Sequence, residues 1–200
     1  PHFFNYPTLY MYALAVIYGG FFALQMVAGA SVEQLISQVA SDRTSFFLIS
    51  RCVSACCGAV TILVVWRVAR QAFDRTTALV AALFMACCYL HVRDSHFGTT
   101  DVTMTLLVLV ACLVVLRLHA RGRRRDYWLA GIWVGLAAST KYGAVLMALP
   151  LAAAHLLLVW RGPGDADGTM SASGEPALDR RGSDAGRQPR FFGLFGFWPA

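Results

Sequence analysis

The residues best suited to chemistry in this sequence are ionisable side chains that border or interrupt long apolar runs. Ionisable groups at membrane depth are costly to desolvate, so they are candidates for function. The stretch 93–101 packs four of them into nine residues: Arg93, Asp94, His96 and Asp101. The carboxylates Asp94 and Asp101 are the candidate catalytic groups, because a carboxylate can act as a general base or hold a divalent cation.

A second group of candidates would bind the substrate. The predicted substrate-binding residues are Tyr6, Arg51, Arg93, His96, Lys141 and Tyr142. Arg51 lies about two turns inside its predicted helix, and Lys141, the only lysine of the chain, interrupts the apolar stretch 127–160. Cations at headgroup depth would attract an anionic lipid phosphate that arrives sideways from the bilayer.

Each candidate also has a purely structural interpretation. Arg93 and Asp94 could cap helix ends at the membrane interface, and Asp101 could be an N-cap or a first-turn acid that the helix dipole favours. Arg51 and Lys141 could extend their side chains to the membrane surface. The sequence leaves these alternatives open.

The composition indicates a membrane protein. Of the 200 residues, 58% are apolar and 14% are charged, and the mean hydropathy is +0.56. Soluble domains carry about 25% charged residues, so this chain has too little polar surface to cover itself in water. Because the apolar residues form long runs between short charged stretches, we predict an all-α fold, a polytopic transmembrane helical bundle.

The composition also narrows the partners. The net charge of +6 does not indicate nucleic acid, because the arginines flank apolar runs instead of forming a patch with interleaved aromatics. The six cysteines lie within apolar segments, where cysteine behaves as a small hydrophobe. Neither pair of adjacent cysteines has the spacing of metal ligands. The lipid bilayer is therefore the expected partner, and nucleic acid is not.

The arginines set the predicted topology. Because cytoplasmic loops are rich in arginine and lysine, the loops 67–75 and 117–126 are predicted in the cytoplasm, and the loop 93–101 on the outer face. The transmembrane helices would lie within residues 45–160. The uncharged run 76–92 would be one of them.

The apolar stretch 127–160 has two interpretations. A single span would leave Arg161 on the outer side. A hairpin of two short helices returns Arg161 to the cytoplasmic side and puts Lys141 near the outer turn. The hairpin is favoured, because the residues that follow also carry arginines.

The two ends of the sequence are expected to belong to larger elements. Residues 1–44 are predicted as the end of a first outer loop, in which 7–32 either span the membrane or form a juxtamembrane or re-entrant helix at the outer interface. The polar stretch 161–190 is predicted as a disordered cytoplasmic loop, and 191–200 as the start of the next transmembrane helix. We expect a fragment truncated at both termini.

Four stretches resemble, in order, the dolichyl-phosphate-mannose-protein mannosyltransferase type of C-type membrane glycosyltransferases. They are 4–10, which is similar to the YPPLY element of that family, 51–55, 93–102 and 130–142. With gaps between the stretches, the resemblance extends over residues 1–160. The family often carries Lys or His where this chain has Tyr6 before Pro7.

The resemblance implies an inverting transfer on the outer face of a cell membrane. An acceptor hydroxyl would attack the anomeric carbon of a mannose-like sugar linked to polyprenyl phosphate, and polyprenyl phosphate would leave. The acceptor could be a protein, a lipid or a glycan. The catalytic aspartate of the family lies upstream of the YPPLY element, so we expect the fragment to lack it. Asp101 matches the acidic position of the second outer loop.

Two other functions use the same charges. A transporter or lipid flippase could line a substrate path with them, and a catalytically inactive relative could serve as an assembly subunit. Most of the charges gather at the predicted outer rim, which favours the enzyme.

Overall fold

Residues 9–161 are described by a computed structural model, and every regular element within them is helical. The residues as far as Leu158 form one compact unit, to which the contacts below belong. The α-helices are α1 (Leu9–Val27), α2 (Val32–Ser41), α3 (Thr44–Ala72), α4 (Arg75–Cys87), α5 (Tyr89–Ser95), α6 (Thr100–Arg121), α7 (Arg124–Ala138) and α8 (Ala148–Arg161). A short 3₁₀ helix, Tyr142–Met147, precedes α8. The predicted all-α fold is confirmed.

Several of these helices are long and apolar enough to cross a membrane. They are α1, α3, α6 and the segment Tyr142–Trp160, and α4 with α5 would make a fifth span if the bent pair is counted as one. The predicted transmembrane helical bundle is confirmed. Helix α7 is shorter, with 15 residues.

Helices α3 and α6 run parallel to each other. Near their starts, a Cβ atom added to Gly98 would lie 2.9 Å from the Ser50 Oγ atom, so Gly98 sits directly against α3. Further along both helices, the Thr103 hydroxyl lies 4.0 Å from the Cys57 Sγ atom. The contact moves toward the carboxyl end of both helices, from Ser50 and Gly98 to Cys57 and Thr103. The two helices therefore end on the same side of the bundle.

Helix α4 does not continue into α5 as one span. Cys88 adopts an extended conformation, and the two helices meet there at 59°. The bend directs α5 against α3, where His91 Nε2 donates to the Gly58 carbonyl oxygen at 3.1 Å and Ser95 packs against Gly58. The predicted span over 76–92 therefore corresponds to a bent pair of helices, and its passage through the membrane stays a prediction, because hydropathy does not record a break in the backbone.

Helices α7 and α8 form the predicted hairpin. Helix α7 ends at Ala138, and α8 runs back along it. As a result, the Tyr127 hydroxyl near the start of α7 lies 3.0 Å from His155 Nδ1. Buried side chains of three helices form the core between them: Val114, Val115 and Leu118 of α6, Ala130 of α7 and Ala154 of α8. Lys141 lies in the turn of the hairpin.

Helix α1 crosses the beginning of α3 instead of running alongside it. The Tyr18 hydroxyl donates to the Phe46 carbonyl oxygen at 3.0 Å, and the rings of Phe22 and Phe46 are 5.6 Å apart. Near the start of α1, the Tyr10 hydroxyl donates to Gly98, which lies against Ser50. Residues 10 and 22 are about 18 Å apart along α1, whereas Phe46 and Ser50 are one turn apart on α3.

The charged segments predicted as loops are largely helix ends. Helix α3 extends to Ala72 and α6 extends to Arg121, where Gly122 closes the helix at φ 61°. Asp74 then caps α4: Thr77 donates its hydroxyl to Oδ1, and the Thr76 amide donates to Oδ2 at 3.0 Å. The hydrogen bond from the Thr77 hydroxyl is the main cause that holds the pKa of the Asp74 carboxyl below its usual range, and the backbone hydrogen bonds add to it.

Candidate functional site

Three segments that are far apart in the sequence meet at one end of the bundle. The Leu9 amide donates to the Ser139 carbonyl oxygen at 3.1 Å, which joins the start of α1 to the turn after α7. The Tyr10 hydroxyl donates to the Gly98 carbonyl oxygen at 3.0 Å, which joins α1 to the turn before α6. We call the place where these turns meet, together with Asp101 and Lys141, the ion-pair end.

An ion pair between Lys141 and Asp101 gives this end its name. The Lys141 ammonium donates to Asp101 Oδ1, and their side chains are 34% and 45% exposed, so both remain accessible to a ligand. Asp101 lies in the first turn of α6 and Thr99 is the N-cap residue, so the alternative role of Asp101 as N-cap is wrong. Its place in the first turn is also favoured by the helix dipole.

Arg93 and Asp94 form a second ion pair at the end of α5. The Arg93 Nε and Nη2 atoms donate to Asp94 Oδ1 at 2.9 Å and 2.8 Å. The Arg93 side chain is 46% exposed and that of Asp94 is 21% exposed. These two residues neutralise each other, and no hydrogen bond or ion pair within residues 9–161 joins them to Asp101 or Lys141.

Of the remaining predicted residues, those within residues 9–161 make no hydrogen bond or ion pair to the two ion pairs. His96 Nδ1 donates to the Val92 carbonyl oxygen of its own helix at 2.7 Å. Arg51 is exposed on α3 about two turns from its start, and Tyr142, next to Lys141, is 60% exposed. Tyr6 lies outside the described residues, as do the predicted loop from residue 162 onward and the segment 191–200.

Sequence reasoning missed the residues that connect the site. His91 had no predicted partner, yet it is buried and holds α5 to α3 through Gly58. A usable signal was the spacing of the small polar residues Ser50, Ser54 and Thr61, which places them with Gly58 on one face of α3. Ser54 and Thr61 are fully buried on that face.

The same part of the chain offers no ready metal site. Between residues 9 and 161 no three side chains of His, Cys, Asp or Glu come close enough to hold a metal ion. Asp94 and Asp101 each bind a cationic side chain instead. A divalent cation at either carboxylate would have to displace that partner.

The arrangement can bind an anion next to a carboxylate. Lys141 presents an ammonium group in a turn, where the chain leaves α7 and its backbone is extended. Asp101, its partner, belongs to a different span, so an anion that binds Lys141 would come to lie beside a carboxylate. Such a pair suits a substrate that carries both a phosphate and hydroxyl groups.

The family comparison agrees with this chemistry. Residues 32–164 match the family described as dolichyl-phosphate-mannose-protein mannosyltransferase, which favours the glycosyltransferase over the transporter. The matched residues include both ion pairs, whereas the YPPLY-like stretch 4–10 lies before them and stays a prediction. No curated protein and no solved structure matches the chain significantly. With its spans, its hairpin and this match over more than half of its length, the chain belongs to the dolichyl-phosphate-mannose-protein mannosyltransferase family of membrane glycosyltransferases.

Proposed function

We propose that this protein moves a mannose-like sugar from a polyprenyl-phosphate donor to an acceptor hydroxyl at the outer face of the cell membrane. The observation that carries the proposal is the Lys141–Asp101 ion pair, which places a cation and a carboxylate together where three segments meet. Family membership supplies the reaction class, and the ion pair supplies a place for the donor phosphate.

The donor phosphate would bind Lys141 by exchanging with Asp101. A phosphate oxygen accepts a charge-assisted hydrogen bond from an ammonium group as a carboxylate does, so the exchange keeps Lys141 paired. Asp101 would then be free to accept a hydrogen bond from a hydroxyl of the acceptor or of the sugar. Arg51 and Tyr142 would extend the phosphate site, because both are accessible on the segments next to it.

The second ion pair would support the first. Arg93 and Asp94 lie just before the turn that carries Gly98, so they would help to bind the acceptor, with His96 between them and the turn. In an inverting transfer, the acceptor oxygen bonds to the anomeric carbon as the bond to the phosphate oxygen breaks. A general base takes the hydroxyl proton, and polyprenyl phosphate carries away the electron pair.

The outer orientation rests on the arrangement of charge. Helices α3 and α6 are parallel, so the arginine-rich turns that follow them share one end of the bundle, and Asp101 and Lys141 lie at the other. By the positive-inside rule, the arginine-rich end would face the cytoplasm. Helix α1 would then lie at the outer interface, because it crosses the start of α3 near Phe46.

Replacement of Lys141 tests the proposal in the intact protein in membranes. We expect Lys141→Ala to lower the release of polyprenyl phosphate from a donor panel by at least about 100-fold, the usual cost of removing one positioned hydrogen-bond donor to the charge that develops in a transition state. Lys141→Arg should keep part of the activity because it keeps the charge. The amount of folded protein is measured in parallel.

The matched control is another cation near the same end that lies outside the proposed site. Arg43, exposed before the start of α3, should tolerate Arg43→Ala without loss of transfer. Equal transfer by Lys141→Ala and wild-type protein, at equal amounts of folded protein, would remove Lys141 from the site. No release with any donor from well-folded wild-type protein would contradict the function itself.

A further inference from the structure

The opposite end of the bundle carries a dense group of arginines. They come from two turns, one between α3 and α4 and one between α6 and α7, which lie together because α3 and α6 are parallel. We call this place the arginine end. Its members are Arg67, Arg70, Arg75, Arg117, Arg121, Arg123, Arg124 and Arg125.

Among residues 9–161, the acids next to the arginine end do not neutralise its charge. All eight side chains are exposed, and none of them takes part in the ion pairs found within residues 9–161. Asp74 is occupied by the cap of α4 through Thr76 and Thr77. Asp126 is only 8% exposed, so it contributes little negative charge to the surface of the arginine end.

Several of these arginines lie near the ends of the apolar helices. Arg67, Arg70 and Arg117 belong to the last turns of long apolar helices and not to the loops after them. The Arg70 guanidinium lies 5.1 Å from the centre of the Trp66 ring, and Trp128 at the start of α7 is 76% exposed. Tryptophan and arginine side by side are typical of the boundary between the hydrocarbon core and water.

We propose that the arginine end is a binding surface for anionic phospholipids of the adjacent leaflet. One guanidinium group can donate hydrogen bonds to two oxygens of the same phosphate. A turn with three consecutive arginines next to an exposed tryptophan can therefore hold the headgroup and part of the acyl chains of a lipid. This role goes beyond determining the orientation of the protein in the membrane, for which positive charge alone suffices. The proposal is independent of the transferase site, which lies at the other end.

Native mass spectrometry of the purified protein tests it with two lipids that differ only in headgroup charge. Phosphatidylglycerol and phosphatidylcholine with the same chains are added in equal amounts, and the number of retained molecules is counted. We expect clear retention of phosphatidylglycerol. Each arginine near an anionic surface contributes about 1 kcal/mol, or about fivefold in affinity, so the triple variant R123Q/R124Q/R125Q should bind it at least about tenfold more weakly.

Three controls make the outcome decisive. R123K/R124K/R125K should bind phosphatidylglycerol more tightly than the glutamine variant, because it keeps the charge. It should bind this lipid more weakly than wild type, because a lysine ammonium cannot donate two parallel hydrogen bonds to one phosphate as arginine does. Arg43→Gln, at the ion-pair end, should not change retention. Equal retention of both lipids by wild-type protein overturns the proposal, as does unchanged retention in the folded glutamine variant. Tighter binding of soluble polyphosphate than of phosphatidylglycerol would also overturn it, in favour of a soluble anion.

Discussion

The two ends of the bundle are built by different kinds of contact. At the ion-pair end, polar bonds join residues that are far apart in the sequence, such as Leu9 to Ser139 and Asp101 to Lys141. At the arginine end, the cap that Asp74 forms for α4 is a local contact, and the arginine side chains remain exposed. One end fixes its charged groups relative to each other, whereas the other presents them outward.

This difference matches two ways of recognising an anion. A transferase must hold a phosphate next to the groups that react, so its cation and carboxylate need fixed positions supplied by several segments. A surface that binds many equivalent headgroups needs only accumulated charge at the right depth. The largest changes on mutation are therefore expected where the long-range contacts meet, and the smallest at the local caps.

Among the contacts that join distant segments, the one between α5 and α3 should lose the most unfolding free energy on mutation. A Cβ atom at residue 58 would lie 2.3 Å from the Ser95 Oγ atom and 2.9 Å from its Cβ atom, so rotation of the Ser95 hydroxyl would not relieve the clash. We expect Gly58→Ala to lower the free energy of unfolding by about 1–3 kcal/mol. Chemical denaturation of the purified protein measures it.

Gly131 provides the matched control for this prediction. It lies inside α7, and a Cβ atom there would meet nothing within 4 Å. Because alanine favours a helix over glycine by about 1 kcal/mol, Gly131→Ala should leave the protein as stable as wild type or slightly more so. If Gly58→Ala behaves in the same way, α5 is not packed against α3 as described.

The hydrogen bond from Tyr10 should have an intermediate effect. Tyr10→Phe removes only the hydroxyl that donates to the Gly98 carbonyl oxygen, so a loss of about 1 kcal/mol in unfolding free energy is expected. Hydrogen exchange should also become faster in the turn 96–99. Tyr12→Phe, at a position that is 66% exposed, is the control and should change neither quantity. Identical results for the two variants would place α1 elsewhere.

The smallest effect is expected at the cap of α4. Because the pKa of Asp74 is lower in the folded protein than its usual value, its contribution to stability is present above the unfolded pKa, about 3.8, and disappears as pH falls through the folded value. Asp74→Asn keeps a capping side chain without the charge. The thermal midpoint of wild type should exceed that of the variant at pH 7, and the difference should shrink toward pH 3. A difference that is the same at both pH values would contradict this assignment.

The sequence was sufficient for the long apolar helices and for the turn at Lys141, but not for the break at Cys88 or for the pairing of charges. Long apolar runs and the break at Lys141 predict the hairpin directly, because both are local properties of the chain. Nothing local distinguishes Arg93, which pairs with its neighbour Asp94, from Lys141, which reaches Asp101 from another helix. Such pairings depend on the register between helices, which apolar lipid-facing residues do not encode.

The bond between Leu9 and Ser139 has a consequence for the order in which the protein is made. The Leu9 amide leaves the ribosome 130 residues before its acceptor, a delay of roughly 7 to 26 s at typical rates of synthesis. Within that interval Phe46 and Gly98 are made first, so α1 can contact α3 and the turn before α6 before its start is joined to Ser139. The contact between the start of α1 and the turn after α7 can therefore form only after α7 has been synthesised, although Leu9 is made long before it.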